Sequence, residues 1–192
     1  LRLSGNLVSQ TDGISLSDVS NLVIDLGNDT IFFGANGGNN NQGISLTYSH
    51  DIIITGGAIV HVPGSGDVVD GAAYNYCVDL ARVHDVLVED VDMIIDGGMG
   101  HCFYGHAGGD PWNYNVEVSG GYFVSRQDWF DSRCDIDQST IMCDVGTGGQ
   151  AVGDYNYYVH HVTIDSAVHT GINGYGKCWF DSNYIMVDAH ND

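Results

Sequence analysis

The chain has 192 residues, of which 43% are hydrophobic, and this is enough for one domain with a continuous core. Its 25 acidic and 5 basic residues give a formal net charge of -20, which excludes nucleic acid as a partner, because phosphate binding depends on lysine and arginine. No stretch approaches the roughly 18 apolar residues of a membrane span, and no signal peptide is recognisable at the start. We expect residues 1–192 to form a single domain, either a segment of a longer chain or a subunit that assembles end to end.

The composition favours β-structure. The chain has 27 glycines, only two prolines and many valines, isoleucines and tyrosines, which together favour short strands joined by tight turns. Aspartate accounts for nearly all of the acidic residues, since Glu89 and Glu117 are the only glutamates. Turn chemistry, a calcium-rich environment and adaptation to high salt each explain an aspartate excess, and the sequence leaves all three open.

A short apolar segment recurs along the chain. Its copies are Ser20–Asp25, His50–Thr55, His84–Glu89, Tyr114–Ser119 and His160–Asp165. Each copy is too short to bury its own apolar face, so the repetition predicts a solenoid in which neighbouring copies stack. Alternation places aliphatic side chains such as Val86 and Val88 inside.

Each predicted coil has three short strands, of which the repeated segment is the second. The first strands begin at Ile14, Ile44, Val78, Cys102, Phe130, Ala151 and Ile172, at intervals of 30, 34, 24, 28, 21 and 21 residues. The third strands are predicted at 30–33, 59–62, 92–95, 122–124, 168–170 and 185–187. The longer coils carry loops rich in Gly, Asn and Asp at 34–43, 63–73 and 105–113, which we expect at the surface.

Two columns of polar residues are expected to stack where the second strand begins. The first column contains Asn21, Asp51, Asp85, Asn115, Gln138 and His161, whose side chains can bond one another and the backbone along the stack. The second contains Ser20, His50, His84, Tyr114 and His160. A metal or proton site is one interpretation of these histidines, and ring stacking at a turn is the simpler one.

The strings SNLVIDLGNDTIFFG and HHVTIDSAVHTG resemble the right-handed parallel β-helix proteins of the pectin-lyase-like superfamily, and the likeness extends over essentially the whole chain. The resemblance implies an all-β fold, a right-handed single-stranded parallel β-helix of about seven coils. It also implies an extracellular or cell- or virion-surface location, with polysaccharide lying along an outer sheet face between inserted loops. Fold likeness specifies architecture better than activity.

The outer face of the first strands has the densest mixture of acidic, basic and aromatic side chains. We predict catalytic roles for Asp79, Asp131, Arg133 and Asp154, and substrate binding by Phe103, His106, Trp112, Trp129 and Tyr175. Asp79 and Asp131 are two coils apart, roughly 9–10 Å by strand spacing, near the separations of about 5–9.5 Å that suit two carboxylates acting on a glycosidic bond. A solvated acidic face without catalysis is the alternative.

Whether the chain is an enzyme stays open at this stage. Polygalacturonase-like hydrolases carry Gly-His-Gly, and the nearest string here, Gly105-His106-Ala107, departs at its third residue. Pectate-lyase-like enzymes use an Arg or Lys base beside calcium, for which Arg82, Arg126, Arg133 and Lys177 are the candidates. The only cofactor considered is Ca²⁺, bound by Asp128, Asp135 and Asp137, and Asn28 begins an N-glycosylation sequon.

Two functions compete. The first is a β-helix that binds polysaccharide and, as a hydrolase or lyase, cleaves it. The second is a structural or adhesive solenoid, such as a fibre, spike or filament subunit. In this second case open solenoid ends would expose strand edges and stack on another copy.

Overall fold

The structure is a computed structural model that describes residues 1–35, 41–62, 75–96, 100–106, 113–126, 139–143, 155–167, 170–174 and 177–187. Within these ranges the regular elements are β-strands, and the strand pairings are parallel. None of the described residues forms a helix long and apolar enough to cross a membrane. The all-β prediction is therefore confirmed for this part of the chain.

Seventeen strands are described. They are β1 (Leu7–Val8), β2 (Ile14–Ser17), β3 (Ser20–Phe33), β4 (Gln42–Thr47), β5 (His50–His61), β6 (Asn75–Ala81), β7 (His84–Glu89), β8 (Asp92–Asp96), β9 (Gly100–His106), β10 (Tyr114–Ser119), β11 (Tyr122–Arg126), β12 (Ser139–Cys143), β13 (Tyr155–His160), β14 (Thr163–Ala167), β15 (Thr170–Gly174), β16 (Lys177–Asp181) and β17 (Tyr184–Val187).

The strands form two parallel sheets. One sheet, sheet B, has the order β2-β4-β6-β9-β12-β15. The other, sheet A, divides into two arms, because the long strand β5 pairs with β7 through its first half and with β8 through its second half. The first arm continues from β7 to β10, β13 and β16, and the second arm from β8 to β11, β14 and β17. The chain passes repeatedly from sheet B to the first arm and then to the second, and these curled parallel sheets are compatible with a β-helix.

Glycines make the bend between the two arms. Gly56 and Gly57 lie at the middle of β5 with φ angles of 70° and 63°, a left-handed conformation that costs glycine no steric strain. A Cβ on Gly57 would stand 2.6 Å from the Cβ of Leu26 in the neighbouring strand. The neighbouring strands β3 and β5 therefore approach each other closely at this bend, because Gly57 has no side chain.

The first polar column has a conformational cause. Asn21, Asp51, Asp85 and Asn115 all have φ between 54° and 55°, a left-handed conformation that Asn and Asp tolerate better than other side chains. The amide Nδ2 of Asn115 donates to Oδ1 of Asp85 at 2.9 Å, so these side chains also bond along the stack. The expected stacking of the column is confirmed for these four positions.

The predicted aliphatic columns form the core. In the first arm Ile24, Ile54, Val88, Val118 and Val159 are successive in-register neighbours and at most 1% exposed. The second arm adds a parallel column of Ile31, Ile59, Met93, Phe123 and Ile164, equally buried. Because the strands are parallel and in register, like side chains stack at the strand spacing of about 4.8 Å.

The predicted register is wrong by one residue in β9. Phe103 pairs with Val78, and Tyr104 pairs with Asp79. Phe103 is fully buried in the core, so it is not on the outer face where a substrate-binding role was predicted. The physical reason is that two consecutive residues of β9, Cys102 and Phe103, both lie in the core, which simple alternation does not foresee; we call this position the bend in sheet B.

Two further strand assignments differ from the prediction. The segment 163–167 is β14 of the second arm, paired with β11, whereas it was expected to be the second strand of its coil; residues 155–160 take that place. His161 is consequently outside the column of Asp85. In sheet B the neighbour of β9 is β12 and the next is β15, whereas first strands were predicted at 130–132 and 151–153. Alternation is the same in every strand, so it cannot assign a strand to a sheet when loop lengths vary.

Candidate functional site

The side of sheet B that faces away from the core brings together side chains from three neighbouring strands, β4, β6 and β9. Cys77 and Val78 are consecutive and fully buried, as are Cys102 and Phe103 in the next strand. Alternation on either side of each pair directs the flanking residues outward. The outward positions before the bend are Gln42, Tyr76 and His101, and those after it are Ser45, Asp79 and Tyr104. We call these six residues the outer cluster.

The contacts of the outer cluster cross the bend. The amide Nε2 of Gln42 donates to Oδ2 of Asp79 at 2.9 Å. The ring of Tyr76 stacks on that of Tyr104, with centroids 4.9 Å apart and planes 16° apart. His101 is nearly parallel to both tyrosines, at 5.8 Å from Tyr76 and 5.2 Å from Tyr104. Offset stacked rings at such distances attract each other beyond the burial of their area, so the three rings form one aromatic group beside the carboxyl.

Three members of the outer cluster are buried although they lie on the side of sheet B that faces away from the core, and Gln42, Tyr76 and Tyr104 are half-buried. Asp79 is 8% exposed, Ser45 7% and His101 2%. Polar side chains on a solvated sheet face are normally far more exposed. The outer cluster therefore combines buried polar groups with two half-buried tyrosine rings.

Burial gives the carboxyl of Asp79 unusual chemistry. Removal from water raises its pKa from 3.8 to about 7, because a low-dielectric environment disfavours the charged form. Its second oxygen, Oδ1, is buried and has no hydrogen-bond partner in the described part of the chain. The group can thus take up or release a proton near neutral pH, and it has an unused acceptor, two properties that mark candidate functional carboxyls.

The structure places some of the other predicted site residues. Asn28 is exposed within β3, and its glycosylation stays a prediction. His106 ends β9 opposite Ala81, and its side chain is not among those described. Outside the described residues lie Trp112, Asp128, Trp129, Asp131, Arg133, Asp135, Asp137, Asp154 and Tyr175.

The sequence analysis named Asp79 but not its neighbours in the outer cluster, among them Tyr76, His101 and Tyr104; the catalytic role of Asp79 stays a prediction. A signal was present in the strings Tyr76-Cys77-Val78-Asp79 and His101-Cys102-Phe103-Tyr104. Aligning the two cysteines gives the register that the structure shows. Two consecutive apolar residues in both strings also mark the bend.

A second group of titratable side chains lies on the outside of the first arm. His50 and His84 stack with their centroids 4.8 Å apart, and His84 stacks in turn on Tyr114 at 4.6 Å. Nδ1 of His84 contacts Oδ2 of Asp85 at 2.8 Å. The pKa of Asp85 is lowered, first by the hydrogen bond from Asn115 and then by that from His84. The structure thus favours stacking as the explanation of these histidines.

Further along the first arm, Nε2 of His160 contacts Oε1 of Glu117 at 2.8 Å, and Nδ1 of His160 contacts Nδ1 of His161 at 2.7 Å. Among the described residues no group of three or more His, Cys, Asp or Glu side chains has a geometry that could hold a metal ion.

Comparison of the chain with protein-family models, with curated proteins and with solved structures finds no match. Function is therefore inferred from the geometry and chemistry of the outer cluster.

Proposed function

We propose that the chain is a right-handed parallel β-helix of the pectin-lyase-like kind, and that it binds polysaccharide along the outer face of sheet B. The parallel path from sheet B through both arms supports the β-helix. Right-handedness follows from the general rule for crossover connections between parallel strands. A location outside the cell or on a cell or virion surface belongs to the same proposal, because polysaccharide is encountered there.

The single observation that carries this proposal is the outer cluster. Tyr76 and Tyr104 supply half-buried aromatic rings that suit the apolar faces of sugar rings, and each also carries a hydroxyl. Asp79 and Gln42 add hydrogen-bonding groups within the same site. Ligand sites commonly combine apolar and aromatic walls with a few polar groups of this kind.

Cleavage of the bound polysaccharide is the stronger form of the proposal. A carboxyl that is protonated near neutral pH is suited to general acid catalysis of glycoside hydrolysis, and Asp79 is our candidate for that role. Hydrolysis needs a second carboxyl on the other side of the scissile bond. The candidates remain Asp131 and Asp154 for a hydrolase, or Arg133 with Ca²⁺ held by Asp128, Asp135 and Asp137 for a lyase.

Removal of the two tyrosine rings is expected to weaken glycan binding. We expect Tyr76→Ala/Tyr104→Ala to bind its best polysaccharide at least about tenfold more weakly than the unaltered chain. Stacking of a nucleic-acid base on an aromatic side chain contributes on the order of 1–3 kcal/mol, and we expect a sugar ring to gain a comparable amount. The measurement is affinity electrophoresis or calorimetry on a panel of neutral and uronic-acid polysaccharides, with and without calcium. Reducing-end release and ultraviolet absorbance of unsaturated products on the same panel test hydrolase and lyase activity.

The matched control is Tyr122→Ala, which removes an exposed tyrosine of the second arm. This variant should bind as the unaltered chain does. An equal loss of binding in both variants would indicate that the substitutions damage the fold. Failure of the unaltered chain to bind any polysaccharide of the panel would contradict the proposal.

A structural solenoid is the second candidate function, and one observation favours it. Phe180 and Ile185 lie in the core columns, in register with Val159 and Ile164, yet they are 45% and 43% exposed. At the other end of the described stack, Leu7 and Leu22 are only partly buried. Apolar core positions and strand edges at both ends suit end-to-end stacking of copies.

If this second function holds, the particles should lengthen as the protein concentration rises. Mass photometry and electron microscopy would detect rods, and Phe180→Asp/Ile185→Asp should shorten them by placing charges in the stacked interface. A strict monomer at high concentration would rule end-to-end assembly out.

A further inference from the structure

We infer that the outer surface of the first arm binds a cationic amphipathic helix of a partner protein, along an apolar stripe formed by Val23, Ile53 and Leu87. The apolar face of that helix packs on the stripe, and its lysine or arginine side chains pair with carboxylates beside the stripe. This surface is separate from the outer cluster of sheet B, so the inference goes beyond polysaccharide binding and does not depend on it.

The apolar stripe is open to solvent. Val23, Ile53 and Leu87 are in-register neighbours on β3, β5 and β7. Val23 is 47% exposed and Ile53 is 37% exposed, while Leu87 is half-buried. An open groove of about 360 Å³ has Ile53 and Leu87 among its lining residues, so a ligand can reach the stripe. Exposed apolar surface that is rimmed by polar residues is typical of interaction sites.

Carboxylates stand on the rim of the same groove. Asp51 and Asp85 come two residues before Ile53 and Leu87, and Glu117 follows Leu87 in register on β10. The side chains of Asp51, Asp85 and Glu117 are 52%, 44% and 48% exposed. The groove therefore offers an apolar floor and accessible negative charge to one ligand.

Two of these carboxylates are held in position by their neighbours. Nδ1 of His50 contacts Oδ2 of Asp51 at 2.7 Å, and Nδ1 of His84 contacts Oδ2 of Asp85 at 2.8 Å. Asn115 donates to Oδ1 of Asp85 at 2.9 Å. A carboxylate has about four acceptor sites on its two oxygens, so it can accept from these neighbours and from a ligand cation as well. The rim is thus already arranged before a ligand binds.

Charge determines which kind of partner fits. The chain has a formal net charge of -20, so a second copy on this face would bring like charges against Asp51, Asp85 and Glu117, and an anionic partner would do the same. Lysine and arginine pair with carboxylates while their aliphatic stems cover apolar surface. The complementary ligand therefore has an apolar face bordered by cations.

The spacing of the stripe favours a helix over an extended segment. The stripe runs across β3, β5 and β7, and neighbouring strands are about 4.8 Å apart. One turn of an α-helix advances about 5.4 Å, so its i, i+4 and i+7 side chains follow successive strands with a mismatch of about 0.6 Å per step. Alternate side chains of an extended segment advance about 6.6 Å and fit less well. Anchors at i, i+4 and i+7 are also those by which amphipathic helices bind in apolar grooves.

The test measures binding of the whole chain to a labelled fourteen-residue peptide of leucine and lysine arranged with helical periodicity, by fluorescence anisotropy. A peptide of the same composition in which leucine and lysine alternate has the periodicity of a strand, and tetradecalysine has no apolar face. We expect the helical peptide to bind at least tenfold more tightly than either of these, with a gain of helical circular dichroism on binding.

Two double variants locate the binding site. Ile53→Ser/Leu87→Ser removes most of the apolar floor, and Asp51→Asn/Asp85→Asn removes two charges from the rim while keeping a residue that tolerates φ of 54–55°. Each should weaken binding of the helical peptide at least tenfold. Circular dichroism and urea unfolding of each variant verify that the fold is retained.

Asp18→Asn/Asp90→Asn is the matched control. It removes the same charge from exposed turn residues outside the stripe, whose φ angles of 57° and 51° are also left-handed, and it should change binding less than about twofold. A loss in this control equal to that in Asp51→Asn/Asp85→Asn would overturn the inference, because charge alone would then explain binding.

Three other results would overturn it. The first is equal or tighter binding of the alternating peptide, and the second is binding that Ile53→Ser/Leu87→Ser leaves unchanged. The third is dimerisation of the unaltered chain that this same variant abolishes, which would assign the stripe to a second copy. Polysaccharide binding is expected to be unchanged in both stripe variants, so the proposed function stands or falls separately.

Discussion

Replacing Asp79 with asparagine is expected to stabilise the protein by about 4 kcal/mol at pH 8 and to leave its stability nearly unchanged at pH 4. The magnitude is the free energy that corresponds to a pKa raised from 3.8 to about 7, at roughly 1.4 kcal/mol per unit. It is an upper value, because the amide of the asparagine introduces a donor that also needs a partner. Urea unfolding of both proteins from pH 4 to pH 8 measures the difference.

The direction of this pH-dependent change in stability follows from proton binding. Between pH 3.8 and about 7 the folded protein holds a proton on Asp79 that the unfolded chain releases, so stability falls as the pH rises through this window. Above about pH 7 the folded protein carries a buried carboxylate, and the free-energy cost of burying it no longer changes with pH. Asparagine carries no charge at any pH, and the gain from the substitution should therefore grow across the window and then level off.

Asp85→Asn is the matched control because its pKa is shifted the other way. Hydrogen bonds from Asn115 and His84 lower the pKa of Asp85, so its carboxylate stabilises the fold above the unfolded pKa, and this contribution is lost as the pH falls through the folded pKa. Asn is also tolerated at its φ of 55°. Asp85→Asn should thus be slightly destabilising at neutral pH and neutral in acid. A pH-independent effect of Asp79→Asn would contradict the burial of its carboxyl.

Phe103→Ala is expected to be the most damaging of the single substitutions considered for sheet B. Phe103 is fully buried in the core, and removal of a buried phenylalanine ring costs roughly 3–5 kcal/mol through lost transfer energy and the cavity left behind. Tyr104→Ala, one residue along, removes a half-buried outward ring and should cost on the order of 1–2 kcal/mol. Chemical unfolding of the two variants gives both values.

This pair of variants tests the register directly. Among the molecules that remain folded, Tyr104→Ala should bind glycan more weakly than the unaltered chain, whereas Phe103→Ala should not. If Tyr104→Ala were the more destabilising of the two, the inward and outward faces of β9 would be exchanged, and the outer cluster could not form as described.

The sequence allowed the first arm to be predicted well as far as β10 and sheet B less well, for a physical reason. Columns such as Ile54, Val88 and Val118 follow from alternation in straight strands. Asp51 and Asp85 could be placed in a polar column from their spacing, although the left-handed backbone that favours them there was visible only in the structure. In straight parallel strands a repeat fixes both the register and the face.

The bend in sheet B interrupts the alternation of inward and outward side chains. Cys102 and Phe103 both point inward, so counting alternate residues beyond them exchanges the two faces, and Phe103 was assigned to the surface in place of Tyr104. Tyr76 and His101 stand before the bend, where no outward column was sought. Tyr76 stacks on Tyr104 of the neighbouring strand, and His101 stacks on Tyr104 three residues along the same strand; periodicity reveals neither contact.

Chemical shifts of the Asp79 carboxyl test most directly whether this group is buried and whether it responds to glycan binding. We would record the ¹³C resonance of its Cγ from pH 4 to pH 9, alone and with the oligosaccharide that binds best. We predict a midpoint near pH 7 for Asp79 and a Cγ resonance that moves when the sugar binds, whereas addition of the sugar should not move the resonance of Asp51. A midpoint near pH 4 together with a resonance indifferent to every glycan would contradict this prediction.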